Sequence, residues 1–524
     1  MPIKHIYTAI AAPGAGKTQT VINKIPHYIE HGYKIIMALP TLTLNDDIFC
    51  TMKKANLTPR IINSNQDEIK YNQTTVTREL TEVLKNGDEP LVIITHDALR
   101  RVDPDLLKRY ILIVDEVPAM LDINHFTVKP KDAETIFAAT DVINNQLKIK
   151  DSQLAAIKDR VKTYKASLEN KGYASTLSGL EHKIYEAILT DNIVHFEIDN
   201  KNKITFHIIV ERSVFAQIDC ASQTHILAAN IEGGMFDLFA KKLGYQYKKS
   251  EFTPEPLGYI CNIYIYPMLN GSWSKLKVLK NEQGDQSHTH NETNNQLIDR
   301  IFETALQHIP SSEILVIQNS WGKFSERYCP SALKALKKIE FLKLDCRGLN
   351  CYQDSNAALV LFGGNPSPND KRSFKVIGDK HNISVASLTD AWITQNKYEA
   401  SLQALTRTAI RIHGNTNPVY FYVQDMKVAN YLKSTYMENA TIDDCLALTP
   451  VAKPDRRSKT PLDERTKALN FIKQALINGI KKADINRALV ALWNLRTRTA
   501  NTWINNVRDS LPAKPAEGLE RFFV

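Results

Sequence analysis

A glycine-rich loop near the start of the chain carries the residue types that bind a phosphate. Residues 11–18 read Ala-Ala-Pro-Gly-Ala-Gly-Lys-Thr. Gly14, Ala15 and Gly16 let the backbone wrap an anion so that several N–H groups point at it. The strict pattern has glycine where this chain has Ala11, and the other positions match. The loop therefore predicts binding of a phosphorylated ligand.

The two residues that end this loop add a charge and a metal ligand. Lys17 is expected to reach the β- and γ-phosphates of a nucleoside triphosphate, and the Thr18 hydroxyl is expected to bind Mg²⁺. The apolar segment 6–10 predicts a strand before the loop, and 20–28 predicts a helix after it, whose N-terminal dipole favours an anion. A chance glycine-rich turn is the alternative, and the strand–loop–helix context argues against it. ATP with Mg²⁺ is the expected ligand.

A pair of carboxylates supplies the second half of this chemistry. The apolar run 110–114 is followed directly by Asp115 and Glu116. Such a run fits a parallel strand whose carboxyl end faces a ligand. Asp115 is expected to hold Mg²⁺, and Glu116 is expected to polarise the attacking water. The alternative, a strand followed by the capped start of a helix, leaves the phosphate loop unexplained, so the two motifs together predict ATP hydrolysis.

The elements that must position these residues alternate between strands and helices. A chain of 524 residues is too long for one core, and the alternation predicts parallel sheets. The first region predicts strands at 5–10, 33–39, 91–95, 110–115 and 225–230. The second region, 296–450, predicts strands at 313–318, 357–362 and 418–423. The expected fold class is therefore α/β.

A helical pattern interrupts the first region at 131–194. One apolar stripe alternates spacings of three and four, as in a coiled-coil seam, at Leu154, Ile157, Val161, Tyr164 and Leu168. A second stripe follows at Leu177, Leu180, Ile184 and Ile188. The segment predicts a helical insertion, either a hairpin that stands off the first domain or ordinary helices packed on its sheet. Strands at 194–199 and 204–210 predict a β-hairpin after it.

Charge and composition narrow the class of protein. The net charge is +9, and residues 455–524 hold 14 Lys and Arg against 7 Asp and Glu. A basic end suggests a polyanionic partner. No run of about 18 apolar residues is present, so neither a membrane span nor a membrane partner is expected, and the N-terminus lacks a signal-peptide pattern. Seven scattered cysteines without a CxxC pair favour free thiols in a reducing cytoplasm.

Six further segments resemble the sequence motifs of superfamily 2 helicases, in the same order along the chain. The segments are 38–41, 92–96, 228–230, 315–320, 347–350 and 403–411. The resemblance covers 5–415 and implies two tandem RecA-like P-loop domains that close on one nucleotide. The acidic motif continues as Val117-Pro118, so it is neither the DEAD nor the DEAH form. The domains are then expected at 1–257 and 258–450.

The resemblance also assigns roles to single residues. Thr41, Thr95 and Arg347 would contact the nucleic acid, and Gly348 and Gln403 would line the nucleotide. In the segment 228–230 this chain has Ala-Ala-Asn where the family has Ser-Ala-Thr. The hydroxyls that link hydrolysis to strand binding in the family are therefore replaced here.

Two arginines in the last of these segments would reach the γ-phosphate across the domain cleft and stabilise the transition state. They are Arg407 and Arg411, at +4 and +8 from Gln403, whereas the family places them at +4 and +7. Both spacings put the two side chains on one face of a helix. Which of the two acts as the arginine finger stays open, and surface arginines on a solvated helix are the alternative.

The region 455–524 carries a signal of its own. Two amphipathic helices are predicted, around Ile485–Trp493 and Ala500–Leu511, with a short polar connector in which Thr499 is a candidate N-cap. The pattern resembles a helix-turn-helix. Arg496 and Arg498 would contact phosphates, and bases would be read by Asn501, Asn505 and Arg508. A helical bundle that docks on the rest of the chain or on another protein is the alternative.

These observations predict an ATP-dependent helicase or translocase. DNA is the expected partner, as a single strand in the motor and as a duplex at the C-terminal domain, with replication proteins as possible further partners. A motor joined to a sequence reader suggests replication initiation or site-specific unwinding, as in a phage or mobile-element helicase. A DNA-packaging motor ATPase, a superfamily 1 helicase and a non-enzymatic DNA-binding scaffold with a vestigial nucleotide fold are the alternatives.

Overall fold

The computed structural model describes most of the chain. The described residues are 4–66, 74–144, 146–169, 176–256, 258–281, 296–310, 313–319, 338–343, 352–450, 462–493, 495 and 497–510. They form two compact units, Met1–Val451 and Ala452–Val524. Within the described residues, every helix is too short or too polar to cross a bilayer.

The larger unit contains eighteen strands among its described residues. They are β1 (Lys4–Ile10), β2 (Lys34–Leu39), β3 (Arg60–Ile61), β4 (Leu91–Thr95), β5 (Tyr110–Asp115), β6 (Leu121–Val128), β7 (Thr140–Ile143), β8 (Gln146–Ile149), β9 (Ile193–Ile198), β10 (Ile204–Glu211), β11 (Gln223–Ala228), β12 (Tyr245–Lys249), β13 (Ile263–Pro267), β14 (Glu313–Gln318), β15 (Lys338–Lys343), β16 (Ala357–Leu361), β17 (Val419–Val423) and β18 (Thr441–Ile442).

The helices of the same unit connect and cover these strands. They are α1 (Lys17–Glu30), α2 (Leu42–Lys54), α3 (Val76–Asn86), α4 (His96–Arg101), α5 (Glu134–Ala139), α6 (Leu154–Glu169), α7 (Gly179–Leu189), α8 (Phe215–Cys220), α9 (Met235–Lys242), α10 (Lys275–Val278), α11 (Leu297–His308), α12 (Pro368–His381), α13 (Val385–Ile393), α14 (Ala400–Leu405) and α15 (Met426–Thr435). A π-helix spans Thr394–Glu399, and 3₁₀ turns span Pro104–Leu107, Pro130–Ala133, Asp151–Gln153 and Ala409–Arg411.

A seven-stranded sheet forms the first domain, in the order β12-β1-β11-β5-β2-β4-β3. Its paired strands are parallel throughout. Alternate residues of the central strands enter separate apolar clusters, Ile36 and Leu112 on one side and Ile35 and Ile111 on the other. Successive side chains of a strand point to opposite faces, so helices cover both faces of this sheet.

The segment between β5 and β11 forms a second sheet, with an apolar cluster of its own. Its antiparallel sheet has the order β6-β10-β9-β8-β7, and α6 and α7 pack on that sheet. Ile157 and Ile184, one from each predicted stripe, are buried with Phe206 of β10. The two predicted stripes form helices, but the prediction of a helical insertion at 131–194 missed the strands β7 and β8 in the same segment. These strands have four residues each, too few to give a periodic signal.

The second domain is built on a six-stranded sheet in the order β15-β14-β16-β17-β13-β18. All its paired strands are parallel. Alternation again divides the apolar residues between two clusters, Ile317 and Val360 in one and Val316 and Leu359 in the other. Both domains therefore present the carboxyl ends of parallel strands at one edge, which is where ligands bind in such sheets.

Helices α12 and α13 follow the second domain's β16 but pack into the first domain. Phe374 and Ile377 of α12, and Leu388 and Ala391 of α13, belong to the same buried cluster as the first sheet. Polar contacts join α12 to the antiparallel sheet of the insertion. The pairs are His125 Nε2 with Asp370 at 2.8 Å, Arg372 with Glu197 at 2.8 Å, and Lys380 with Glu211 at 2.9 Å.

The C-terminal unit contains three helices among its described residues. They are α16 (Leu462–Ile477), α17 (Lys482–Trp493) and α18 (Thr497–Ser510). One apolar cluster joins all three, with Ile472, Leu489 and Ile504 buried in it. The described part of this unit is therefore all-α, with a third helix before the two that the apolar pattern identifies.

Candidate nucleotide site and interdomain cleft

The phosphate loop connects β1 to α1 in a conformation that requires glycine. Gly14 has φ of 88° and Gly16 has φ of 80°, in the left-handed region that other residues rarely adopt. Gly16 is also the N-cap of α1, so the positive end of the helix dipole lies at the loop. A Cβ atom on Gly14 would lie 2.7 Å from Cγ of Arg411. The first glycine therefore also leaves room for a side chain of the second domain.

The metal-binding residues predicted from sequence lie together. The Thr18 hydroxyl donates to Asp115 Oδ2 at 3.0 Å, across the gap between α1 and the end of β5. A hydroxyl and a carboxylate are the hard oxygen ligands that Mg²⁺ prefers. Burial raises the pKa of Asp115, while the Thr18 hydrogen bond and the charge of Lys17 act in the opposite direction. A bound cation would favour the ionised carboxylate further.

Lys17 is held by the loop that it follows. Its Nζ donates to the backbone oxygens of Ala11 at 2.6 Å and Ala12 at 3.1 Å. Burial lowers the pKa of Lys17 to about 8, and the charge of Arg411 lowers it as well, whereas Asp115 raises it. An anionic triphosphate would replace these carbonyl contacts and return the pKa of Lys17 towards its usual value.

Glu116 occupies a strained position at the end of β5. Its φ is 66°, which is rare for a residue with a side chain. Its backbone N–H donates to Leu227 O of β11 at 2.8 Å. This turn takes the carboxylate out of the strand and into a cavity of about 580 Å³, which Gln403 of the second domain also lines. The predicted general base and a predicted nucleotide residue therefore line the same cavity.

The two arginines of the segment 403–411 differ in position. The prediction that they share a helix face was wrong, because α14 ends at Leu405 and Arg411 lies in a separate 3₁₀ turn. Arg407 is buried, with 5% of its surface exposed. Arg411 lies against Gly14 of the phosphate loop. The structure therefore brings Arg411 to the phosphate loop from the opposite domain.

Tyrosines of the second domain also contact the loop and the strand beside it, and the sequence motifs gave no signal for them. The Tyr259 hydroxyl donates to Pro13 O at 2.9 Å, and the Tyr436 hydroxyl donates to Ala229 O. Both rings pack on the alanines of the loop, Ala11, Ala12 and Ala15. The departure from glycine at position 11 thus has a packing role, because the methyl group contributes to this interdomain contact.

The nucleic-acid residues predicted in the first domain lie at the carboxyl edge of the sheet. Thr41 lies two residues after β2, and Thr95 is the last residue of the neighbouring strand β4. Each hydroxyl accepts a helix N–H, from Leu44 at 3.2 Å and from Ala98 at 3.1 Å. They are therefore N-caps of α2 and α4, and a contact with nucleic acid stays a prediction. Arg347 and Gly348 lie outside the described residues.

The predicted reading residues of the C-terminal unit lie on α18. Arg498 and Arg508 are exposed, whereas Asn501 and Asn505 are partly buried. Asn505 accepts a hydrogen bond from Lys482 of α17 at 2.9 Å. The helix begins at Thr497, so the prediction of Thr499 as its N-cap was wrong. Arg496 lies outside the described residues.

Comparison with known proteins identifies the fold. No family model and no curated protein matches the chain. A solved XPD helicase aligns with 84% of this chain and 96% of its own length, at 11% identity and a TM-score of 0.51. The S. tokodaii Xpd4 structure aligns with 84% of this chain and 96% of its own, at 10% identity and a TM-score of 0.48. The first of these structures confirms the predicted α/β fold of two tandem RecA-like domains.

Proposed function

We propose that this protein is an ATP-dependent helicase or translocase that acts on nucleic acid, and that this nucleic acid is DNA. One observation carries the proposal. The Thr18 hydroxyl bonds Asp115, the charges of Asp115, Glu116 and Arg411 all act on Lys17, and Arg411 reaches the loop at Gly14 from the opposite domain. A catalytic set divided between two domains makes hydrolysis depend on closure of the cleft, which is the property that a motor requires.

The position of each residue in this set allows it one role in ATP hydrolysis. The loop N–H groups and Lys17 would hold the triphosphate, and Thr18 and Asp115 would hold Mg²⁺, which would supply positive charge to the phosphates. Glu116, turned into the cavity by its backbone conformation, accepts a proton from the attacking water. Arg411 supplies positive charge to the transition state when the cleft is closed. Product release then lets the domains separate.

The basic C-terminal unit supports DNA as the partner. Residues 455–524 hold 14 Lys and Arg against 7 Asp and Glu, and α18 presents Arg498 and Arg508 to solvent. A helix with exposed arginines on a small helical unit suits a duplex groove and its phosphates. We propose that this unit places the motor at a DNA site, in replication initiation or local unwinding, and that the protein serves a phage or mobile element.

One assay tests the function. ATP turnover of the full chain is measured alone and with single-stranded DNA, duplex DNA or RNA, with Lys17→Ala as the inactive control. We expect stimulation by a single strand and strand separation on a tailed duplex. Truncation after Pro454 should retain the single-strand stimulation and weaken duplex binding. Turnover that no nucleic acid stimulates would contradict the motor, and stimulation by RNA alone would contradict the choice of DNA.

A further inference from the structure

A hydrogen-bonded link joins the two domains beside the nucleotide site. Asn230 comes directly after β11 and Ala229, in the first domain. Its Nδ2 donates to the Tyr431 hydroxyl of α15 at 3.0 Å, and that hydroxyl donates to Glu399 Oε1. The Asn230 amide also interacts with the Glu399 carboxylate. The link therefore runs from the strand edge of the first domain to a buried carboxylate of the second.

The orientation of the Asn230 amide is fixed by its own backbone. Its Oδ1 accepts the Glu232 N–H at 3.0 Å, and its Nδ2 donates to Glu232 O at 3.1 Å as well as to Tyr431. Since the oxygen and one amide hydrogen are used within the first domain, the other amide hydrogen is directed at the second domain. The amide is thus a donor aimed across the cleft.

The second domain holds its half of the link on a rigid frame. Glu399 is the last residue of the π-helix Thr394–Glu399, and such turns are frequent at functional sites. Lys397 of the same turn is buried and pairs with Asp425 at 2.6 Å. Asp425 caps the helix that carries Tyr431. The carboxylate and the phenol are therefore fixed relative to each other.

Glu399 lies in the electrostatic field of the nucleotide site. It lines the same cavity as Glu116 and Gln403. Burial raises the pKa of Glu399, while Tyr431, Asn230 and the charge of Lys17 act in the opposite direction. A buried carboxylate is costly unless donors satisfy it. Two of its donors are fixed by the link, and one of them belongs to the other domain.

We propose that Asn230, Tyr431 and Glu399 transmit closure of the cleft to the catalytic strand, an inference that rests on the proposed ATP hydrolysis. Asn230 is three residues after Leu227, whose carbonyl accepts the Glu116 N–H at 2.8 Å. Fixing the end of β11 against the second domain therefore fixes the backbone that holds Glu116. The three residues are positioning residues: they set the place of the general base through the backbone of β11.

The test replaces the central hydroxyl and compares two kinetic constants. Tyr431→Phe removes the shared hydrogen bonds and keeps the ring, so kcat for nucleic-acid-stimulated ATP hydrolysis should fall by about tenfold or more. The KM for ATP should change less than about twofold, because the loop that binds ATP is untouched. Tyr398→Phe is the matched control, since its ring stacks on Tyr431 with centroids 5.1 Å apart. Wild-type kcat in Tyr431→Phe, or an equal loss in the control, would overturn the proposal.

Two substitutions of Glu399 distinguish loss of the hydrogen bond from a general disturbance of the structure. Glu399→Gln keeps an acceptor for the Tyr431 hydroxyl and should retain most of kcat, whereas Glu399→Ala should behave like Tyr431→Phe. Equal losses in the two Glu399 variants would contradict a hydrogen-bonded link.

A measurement without nucleic acid keeps this inference apart from the proposed function. Amide hydrogen exchange of the segment 394–405 is followed with and without AMPPNP and Mg²⁺. Protection on nucleotide binding should appear in the wild type and be lost in Tyr431→Phe. If nucleic acid stimulates no turnover but this loss is seen, the motor function fails and the link stands. Equal protection in both proteins would refute the link.

Discussion

Replacing Arg411 by alanine should slow hydrolysis far more than it weakens ATP binding. The Nε atom of Arg411 lies 3.6 Å from the point where a Cβ of Gly14 would stand, so its charge would act directly on an anion bound by the loop. Two unit charges about 4 Å apart, at an effective dielectric constant near 20, interact by about 4 kcal/mol. Because about 1.4 kcal/mol is a factor of ten in rate, that charge corresponds to about 10³ in kcat. This factor lies at the low end of the increase in kcat that arginine fingers supply, about 10³–10⁵.

Arg407 is the comparison, because the sequence motif gives both arginines the same role, whereas the structure places only Arg411 against the phosphate loop. Arg407→Ala truncates a side chain that is 5% exposed, so its main effect should be a lower melting temperature. Single-turnover hydrolysis, nucleotide Kd and thermal melting are measured for both variants and the wild type. The reasoning is refuted if Arg407→Ala loses about 10³ in the single-turnover rate while Arg411→Ala stays near the wild-type rate.

Three further perturbations follow from the same geometry. Glu116→Gln should bind ATP normally and lose hydrolysis, because an amide cannot take a proton from water; turnover at the wild-type rate would remove Glu116 as the base. Affinity for an ATP analogue should be constant below pH 8 and fall above it, because the pKa of Lys17 is about 8 without ligand and bound phosphates raise that pKa. Isothermal titration calorimetry from pH 7 to 9.5 measures the affinity, and a Kd that does not change with pH would contradict the prediction. Gly364→Ala should lower the free energy of unfolding by about 2–4 kcal/mol, because φ is +69° and the new Cβ would lie 2.3 Å from Asn396 O. Gly244→Ala, with φ of +82° and open space around it, is the control and should cost about 1 kcal/mol.

The parts of the site that lie within a single short segment were predictable from the sequence. The phosphate loop and the strand end at Asp115 follow from local patterns, because glycine, lysine and threonine at fixed spacing serve one ligand. Strand positions were also predictable, since buried parallel strands read as continuous apolar runs. The predicted strand at 110–115 has these bounds in the structure, and the one at 225–230 is displaced by two residues.

The parts that depend on distant residues were not predictable. The edge strand β6 has no fully buried residue, so it gives no apolar run in the sequence, and it pairs with β10, far along the chain. The end of α14 carries no glycine or proline. Instead the Thr406 hydroxyl bonds Leu402 O, and the Thr408 hydroxyl bonds Leu405 O, both at 2.8 Å. These side chains satisfy carbonyls at the end of the helix, which separates Arg411 from Gln403.

The packing of α12 and α13 also bears on how the chain folds as it is synthesised. Phe374, Ile377, Leu388 and Ala391 complete an apolar cluster whose earliest member is Ile6. During synthesis, the first domain therefore exposes part of this apolar surface until about three quarters of the chain has left the ribosome. Contacts between residues so far apart in sequence form slowly, and exposed apolar surface promotes aggregation meanwhile. A fragment that stops at residue 257 would lack this cover, so it should be less soluble than one that continues to residue 450.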